Sequence, residues 1–243
     1  MLEALWWGAF ASSSLLIGAA IALRLPVSRR ALGLVMGFGA GVLLSAVAFE
    51  LVEEAFETSG LLSDVAIGLF AGCAVFSLGD ALIDRIGGAE RKNMDGAGEG
   101  GSALAIVLGT VLDGIPESAV LGLSLIDGGA ISVAMLVAVF LSNLPEAIAA
   151  TTGLAASGWR APRVLVLWGS VVAVSALAAL LGFGLFDDAS PSVIAFVLAF
   201  AGGAILTMLA DTMMPEAYEH GGKLVGVLTT LGFFVAFLIH TLE

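Results

Sequence analysis

The chain has 243 residues, 59% of them hydrophobic and only 12% charged, with 21 Asp and Glu against 9 Lys and Arg. Its mean hydropathy is +1.08, which excludes an ordinary soluble domain and predicts an all-α integral membrane protein. The acidic balance excludes a nucleic-acid partner, which needs a basic footprint, and the single cysteine, Cys73, excludes an internal disulfide or a thiolate metal cluster.

Apolar runs of membrane length predict eight transmembrane helices at about 3–24, 30–52, 61–83, 102–126, 130–156, 163–186, 192–213 and 221–242, in one domain over 1–243. The first follows Met1-Leu2-Glu3, with no basic residue before it and no cleavage site, so it reads as a retained span. The second carries Gly37-Phe38-Gly39-Ala40-Gly41, small residues that let helices pack closely in lipid. Near its outer end Glu50, Glu53, Glu54 and Glu57 recur at helical spacing. They read either as a solvated helix end or as an acidic vestibule, an entry path that concentrates cations. The third ends with Asp80 and Asp84, four apart, and a Gly-rich flexible cytoplasmic loop over 87–101 follows.

The fourth and fifth helices are joined by only Asp127-Gly128-Gly129, which predicts a tight, central antiparallel hairpin. The seventh carries Asp211, Glu216, Glu219 and His220 toward its inner end. With Asp80 these would form an exit path, or else ordinary interfacial polarity. His240, near the outer end of the last helix, has no assigned role. Met36, Met135, Met208, Met213 and Met214 read as packing residues. Trp6, Trp7, Trp159 and Trp168 fall near predicted helix ends, where interfacial anchoring accounts for them.

Charge placement orients the bundle. Arg24, Arg29, Arg30, Arg85, Arg91, Lys92, Arg160, Arg163 and Lys223 all fall on one side of an eight-helix topology, while the opposite loops carry only acids. The positive-inside rule makes the basic side cytoplasmic and both termini extracytoplasmic, in a multi-pass protein of the cell membrane.

Two matched units occupy the central helices: Asp113-Gly114-Ile115-Pro116-Glu117-Ser118 and Ser142-Asn143-Leu144-Pro145-Glu146-Ala147. A carboxylate at bilayer depth is expensive and faces a protein interior or a water-filled path. Each proline removes a helix hydrogen bond and frees a carbonyl four residues back, at Leu112 and Leu141. Asp113 and Glu117 share one helix face, as do Asn143 and Glu146. Three buried carboxylates together require protons or a cation, and a divalent metal supplies the missing charge.

These units, with eight helices and external termini, resemble the ZIP (Zrt/Irt-like protein) metal transporters. That family carries a His-Asn-x-Pro-Glu-Gly signature in helix 4 and an x-x-x-Pro-Glu-Gly signature in helix 5. The resemblance extends over nearly the whole chain, including Ala40-Gly41-Val42-Leu43-Leu44 and Met214-Pro215-Glu216. It implies a transporter rather than an enzyme, with divalent metal as transported substrate and no prosthetic group. It further implies uptake toward the cytoplasm and a homodimer in the bilayer. Carried over, it makes Glu117 and Glu146 metal ligands, sets Asp113 where the family has its histidine, and makes Asn143 a further ligand. Gly114 and Ser118 depart from the signature. Ser142, and Ser175 or Ser170 in helix 6, are the candidates left for a secondary metal position. All the nameable ligands are oxygens, which favours Mn²⁺ or Fe²⁺ relative to an imidazole site and still admits zinc.

Two other transport readings stand beside this one. The same carboxylates would serve a proton-coupled transporter of another small cationic solute, or the chain is a ZIP-like membrane protein without transport activity. An intramembrane aspartyl protease fits poorly. Ser77-Leu78-Gly79-Asp80 matches that motif only in part, and Tyr218 is followed by Glu219.

Overall fold

The computed structural model describes residues 1–85, 103–126 and 131–243, with side chains of the fourth helix from residue 108. The predicted loop over 87–101, with Arg91 and Lys92, and the Asp127-Gly128-Gly129 connector lie outside the described residues.

Every regular element among the described residues is helical: α1 (Leu2–Arg24), α2 (Arg29–Ser59), α3 (Leu62–Ile83), α4 (Ala103–Leu123), α5 (Val133–Ala156), α6 (Ala161–Phe186), α7 (Pro191–Gly221) and α8 (Leu224–His240). Six of them, all but α4 and α8, are long and apolar enough to cross a membrane among the residues described. The chain is therefore a multi-pass helical membrane protein. α8 is apolar but has 17 residues, a length of roughly 26 Å at 1.5 Å per residue.

Local chemistry sets the helix ends. Ser28 caps α2 by accepting the Ala31 N–H at 3.2 Å, and Ser132 caps α5 by accepting the Met135 N–H at 3.0 Å. Pro162 and Pro191 sit in the first turns of α6 and α7, where the missing N–H has no helical partner to lose. α2 stops at Gly60, whose φ of +66° ends the helix in the left-handed region.

α2 and α7 outrun their predicted apolar stretches because helix continues through the acidic residues that read as ends. Both also contain a π-helical turn, Val47–Glu53 in α2 and Leu209–Met213 in α7. Glu50, Glu53 and Asp211 lie in these turns. Each inserts an extra residue per turn, a feature that recurs at functional sites.

Glycines set the packing. α3 lies on α7 through Gly72 against the Phe200 carbonyl and Gly203 against that of Leu69. α2 lies on α8 through Gly41 against Thr229 and Gly232 against Phe38, and α4 on α6 through Gly122 against Ala179 and Gly182 against Ala119. In each pair a Cβ on either helix would strike the other's backbone, so close approach depends on its absence. α5 is the most enclosed span, with 72% of its apolar window buried, whereas α3 has 22% and lies at the periphery.

The connector of the expected hairpin lies outside the described residues, and the packing described here shows only which neighbours its two helices meet. α4 rests mainly on α6, α5 rests mainly on α1 and α2, and α4 and α5 touch only sparingly. A short connector brings two helix ends together, but it does not decide which flanks meet. Here the small-residue flank of α4 turns to α6, and α1 takes the corresponding flank of α5.

Candidate metal centre

Both Pro-Glu helices run unbroken through Pro116 and Pro145. The Leu141 carbonyl, which Pro145 cannot serve, faces α2: a Cβ built on Gly39 would lie 3.3 Å from it. The side chains that resemble ligands are all enclosed, with Asp113 3%, Glu117 2%, Asn143 5% and Glu146 4% exposed. The sequence from 103 to 156 contains no Lys, Arg or His. These carboxylates therefore have no cationic side chain on their own two helices, and burial is met by protons, by groups on other helices or by a bound cation.

Among the described residues, no three His, Cys, Asp or Glu side chains form a group able to hold a metal ion. The four predicted ligands are buried on two helices that share little surface with one another. Thr110, 6% exposed, lies one turn before Asp113 on the same face. A threonine in an apolar helix carries no distinctive signal in the sequence.

The secondary candidates separate. Ser142 is buried and donates to the Val139 carbonyl of its own helix at 3.1 Å. Ser175 is buried on α6, with its Oγ 3.6 Å from where a Cβ on Gly114 would lie. Ser170 is exposed and donates to the Leu167 carbonyl at 2.6 Å, which removes it from the set. The hydroxyl of Ser118 is buried and has no hydrogen-bond partner among the described residues.

A cavity of about 470 Å³ opens at the end of the bundle that carries Ser132 and His240. Glu50 and Glu54 line it, with Ser124, Ser132 and Glu243 as the other polar walls and Val120 and Met135 among the apolar ones. Glu53 is exposed and outside this lining. The α4 wall of the cavity, Ser124 and Val120, continues along the same helix face to Glu117. At the opposite end, Asp80 and Glu216 are half-buried and Asp211 is exposed. His220 is half-buried against Gly33, and its Nε2 has no hydrogen-bond partner among the described residues. Gly79 packs on the Leu112 side chain, with a built Cβ 3.1 Å away, which brings α3 beside α4 next to Asp113.

Two residues sit differently from their sequence reading. Trp168 is fully buried, not an interfacial anchor, and its Nε1–H donates to Thr151 Oγ1 at 2.8 Å. A lone tryptophan near a helix end looks the same in sequence whether it faces lipid or a neighbour. Trp159 keeps an end position, with the Arg163 guanidinium 3.8 Å above its ring. His240, given no role, pairs with Glu50.

The chain is similar to an Arabidopsis thaliana protein named "Putative zinc transporter", with 29% identity over 191 residues. The alignment covers 77% of this chain and 30% of that longer protein. No family model matches the chain.

Proposed function

We propose that this protein carries divalent metal cations of the zinc, iron or manganese class across the cell membrane toward the cytoplasm, as a ZIP-like transporter with eight spanning helices. The observation that carries the reading is the burial of Asp113, Glu117 and Glu146, each 2–4% exposed, on two proline-containing helices free of basic residues. The likeness to a plant protein with a zinc-transporter name supports it. The ion would meet Glu50 and Glu54 in the acidic cavity, pass to Asp113, Glu117, Asn143 and Glu146, and leave past Asp80, Asp211, Glu216 and His220. Alternating access would come from α4 and α5 moving against the other helices about this midplane site. Uptake of Zn²⁺ and Mn²⁺ into proteoliposomes tests the proposal. Glu117→Ala and Glu146→Ala should each reduce uptake to background, and parental uptake by both would sink the site assignment.

A second reading draws on the absence, among the described residues, of a three-ligand group. The same carboxylates would then carry protons for another small cationic solute. Calorimetric titration of the purified protein with Zn²⁺ and Mn²⁺ separates the two. Heats that vanish in Glu117→Ala support the metal site, and no binding at neutral pH favours the proton relay.

A further inference from the structure

The first turn of α5 is held by groups outside the buried carboxylates. Ser132 Oγ, the α5 cap, also donates to Glu50 Oε2 at 2.6 Å. The other oxygen of that carboxylate lies 2.7 Å from His240 Nδ1. The imidazole stacks on Phe49, with ring centroids 5.3 Å apart and planes 23° from parallel. A second carboxylate, the side chain of Glu243, accepts the Ala134 N–H at 3.0 Å. The π turn of α2 contributes both Phe49 and Glu50 to this arrangement, because its extra residue turns them relative to an ideal helix.

These contacts stand over the α5 stripe that leads inward. Ser132, Met135, Val139, Ser142 and Glu146 recur along one side of the helix. Ser132 and Met135 line the cavity, Val139 is fully buried, and Ser142 and Glu146 lie beneath it. Met135 and, on α4, Val120 line the cavity on the side toward the carboxylates, and Val139 is buried behind Met135 on the same face of α5. Deeper in the bundle α5 is held by close backbone packing. At this end Met135 and Leu136 pack in the apolar core, and polar contacts to two carboxylates are added to that packing.

We propose that Ser132, His240 and Glu243 are positioning residues of a latch: through Glu50 and the Ala134 amide they fix the first turn of α5 and keep the cavity closed off from the carboxylates. The purpose of the latch rests on the transport reading, but its existence does not. A cation in the cavity meets Glu50 and Glu243, whose oxygens are the acceptors of the latch, so occupancy of the cavity and closure of the latch compete for the same atoms.

The test is labelling of Val139→Cys by a bulky, charged thiol reagent, in the full chain in nanodiscs, without metal, with Cys73→Ser as background. His240→Phe keeps the ring stacking on Phe49 and removes the hydrogen bond, and Glu243→Ala removes the bond to Ala134. Loss of one hydrogen bond to a carboxylate should raise the labelling rate by roughly tenfold. His240→Gln, which retains an N–H donor, should restore it toward the parent rate. Leu61→Cys, exposed at the same end, should label at the parent rate in every variant, and a variant that fails this control is replaced by the other. Parental labelling of Val139→Cys in every variant that passes this control overturns the latch. Because no transported ion is present, a protein that moves no metal but shows these rates refutes the transport reading and leaves the latch standing.

Discussion

Gly18 gives the sharpest test of how α1 supports the Pro-Glu helix. A Cβ built there lies 2.5 Å from the Leu144 carbonyl oxygen, 2.9 Å from Ala147 Cβ and 3.4 Å from the Ile148 nitrogen. The first and last of these are backbone atoms, which cannot swing aside as a side-chain tip can. Ordinary contact needs roughly 3.4 Å or more, so Gly18→Ala forces α1 and α5 apart by about 0.9 Å beside Pro145 and Glu146. Overpacking of this kind costs about 1–3 kcal/mol. It is opposed by the gain of about 1 kcal/mol from replacing glycine by alanine in a helix. Gly169→Ala isolates that gain, because Gly169 lies in α6 with nothing within 4 Å of its built Cβ. The difference in stability between the two variants is then the packing term alone, about 1–3 kcal/mol, or roughly 2–12 °C in thermal midpoint. Thermal unfolding of both purified variants in the same detergent measures it. Uptake by Gly18→Ala should fall further than stability accounts for, since a shift of about 1 Å at a positioned group is enough to cost two orders of magnitude. Equal midpoints for Gly18→Ala and Gly169→Ala would refute the close approach of α1 to α5.

Trp168→Phe should destabilise the protein by about 1–3 kcal/mol, because it removes the donor to buried Thr151 while leaving most of the ring volume. The double variant with Thr151→Val should cost less than the sum of the single changes in the same unfolding assay. Ser118→Ala should be neutral or stabilising, since the buried hydroxyl has no hydrogen-bond partner among the described residues. A lower midpoint in a thermal-shift measurement would show that this hydroxyl is partnered.

Much of this architecture could be read directly from the sequence, and the parts that could not share a cause. Apolar runs reveal helices because lipid leaves the backbone no other partner than itself, so α1, α3, α5 and α6 fall close to their expected limits. α2 and α7 extend beyond theirs because polarity marks where lipid ends, not where helix ends. The enclosure of Asp113, Glu117, Asn143 and Glu146 followed from the cost of burying charge, which a single sequence displays. Which helix flank meets which depends on glycine placement around each helix, and a sequence containing 32 glycines does not say which of them are contacts. The π turns, the burial of Trp168 and the pairing of His240 with Glu50 belong to that same class. Each depends on a partner distant in the chain.

The contacts of α5 point to one part of the bundle that can move. At mid-length it is held by backbone proximity, Gly18 of α1 on one side and Gly39 of α2 on the other. Near its end, Thr151 receives the buried Trp168 donor from α6. Such contacts are lost all at once or not at all, because close-packed surfaces have discrete arrangements and do not deform continuously. The first turn differs in adding, to the apolar packing of Met135 and Leu136, hydrogen bonds to Glu50 and Glu243, carboxylates that border the cavity. α4 is bound to α6 by its own reciprocal glycines and shares little surface with α5. α1 packs on α6 as well as on α5, with Gly8 against Ala176 and Ala179, and Trp168 ties α6 to α5, so α1, α5 and α6 are held as one group. Within that group the first turn of α5 is where the contacts to carboxylates are ones a cation can replace.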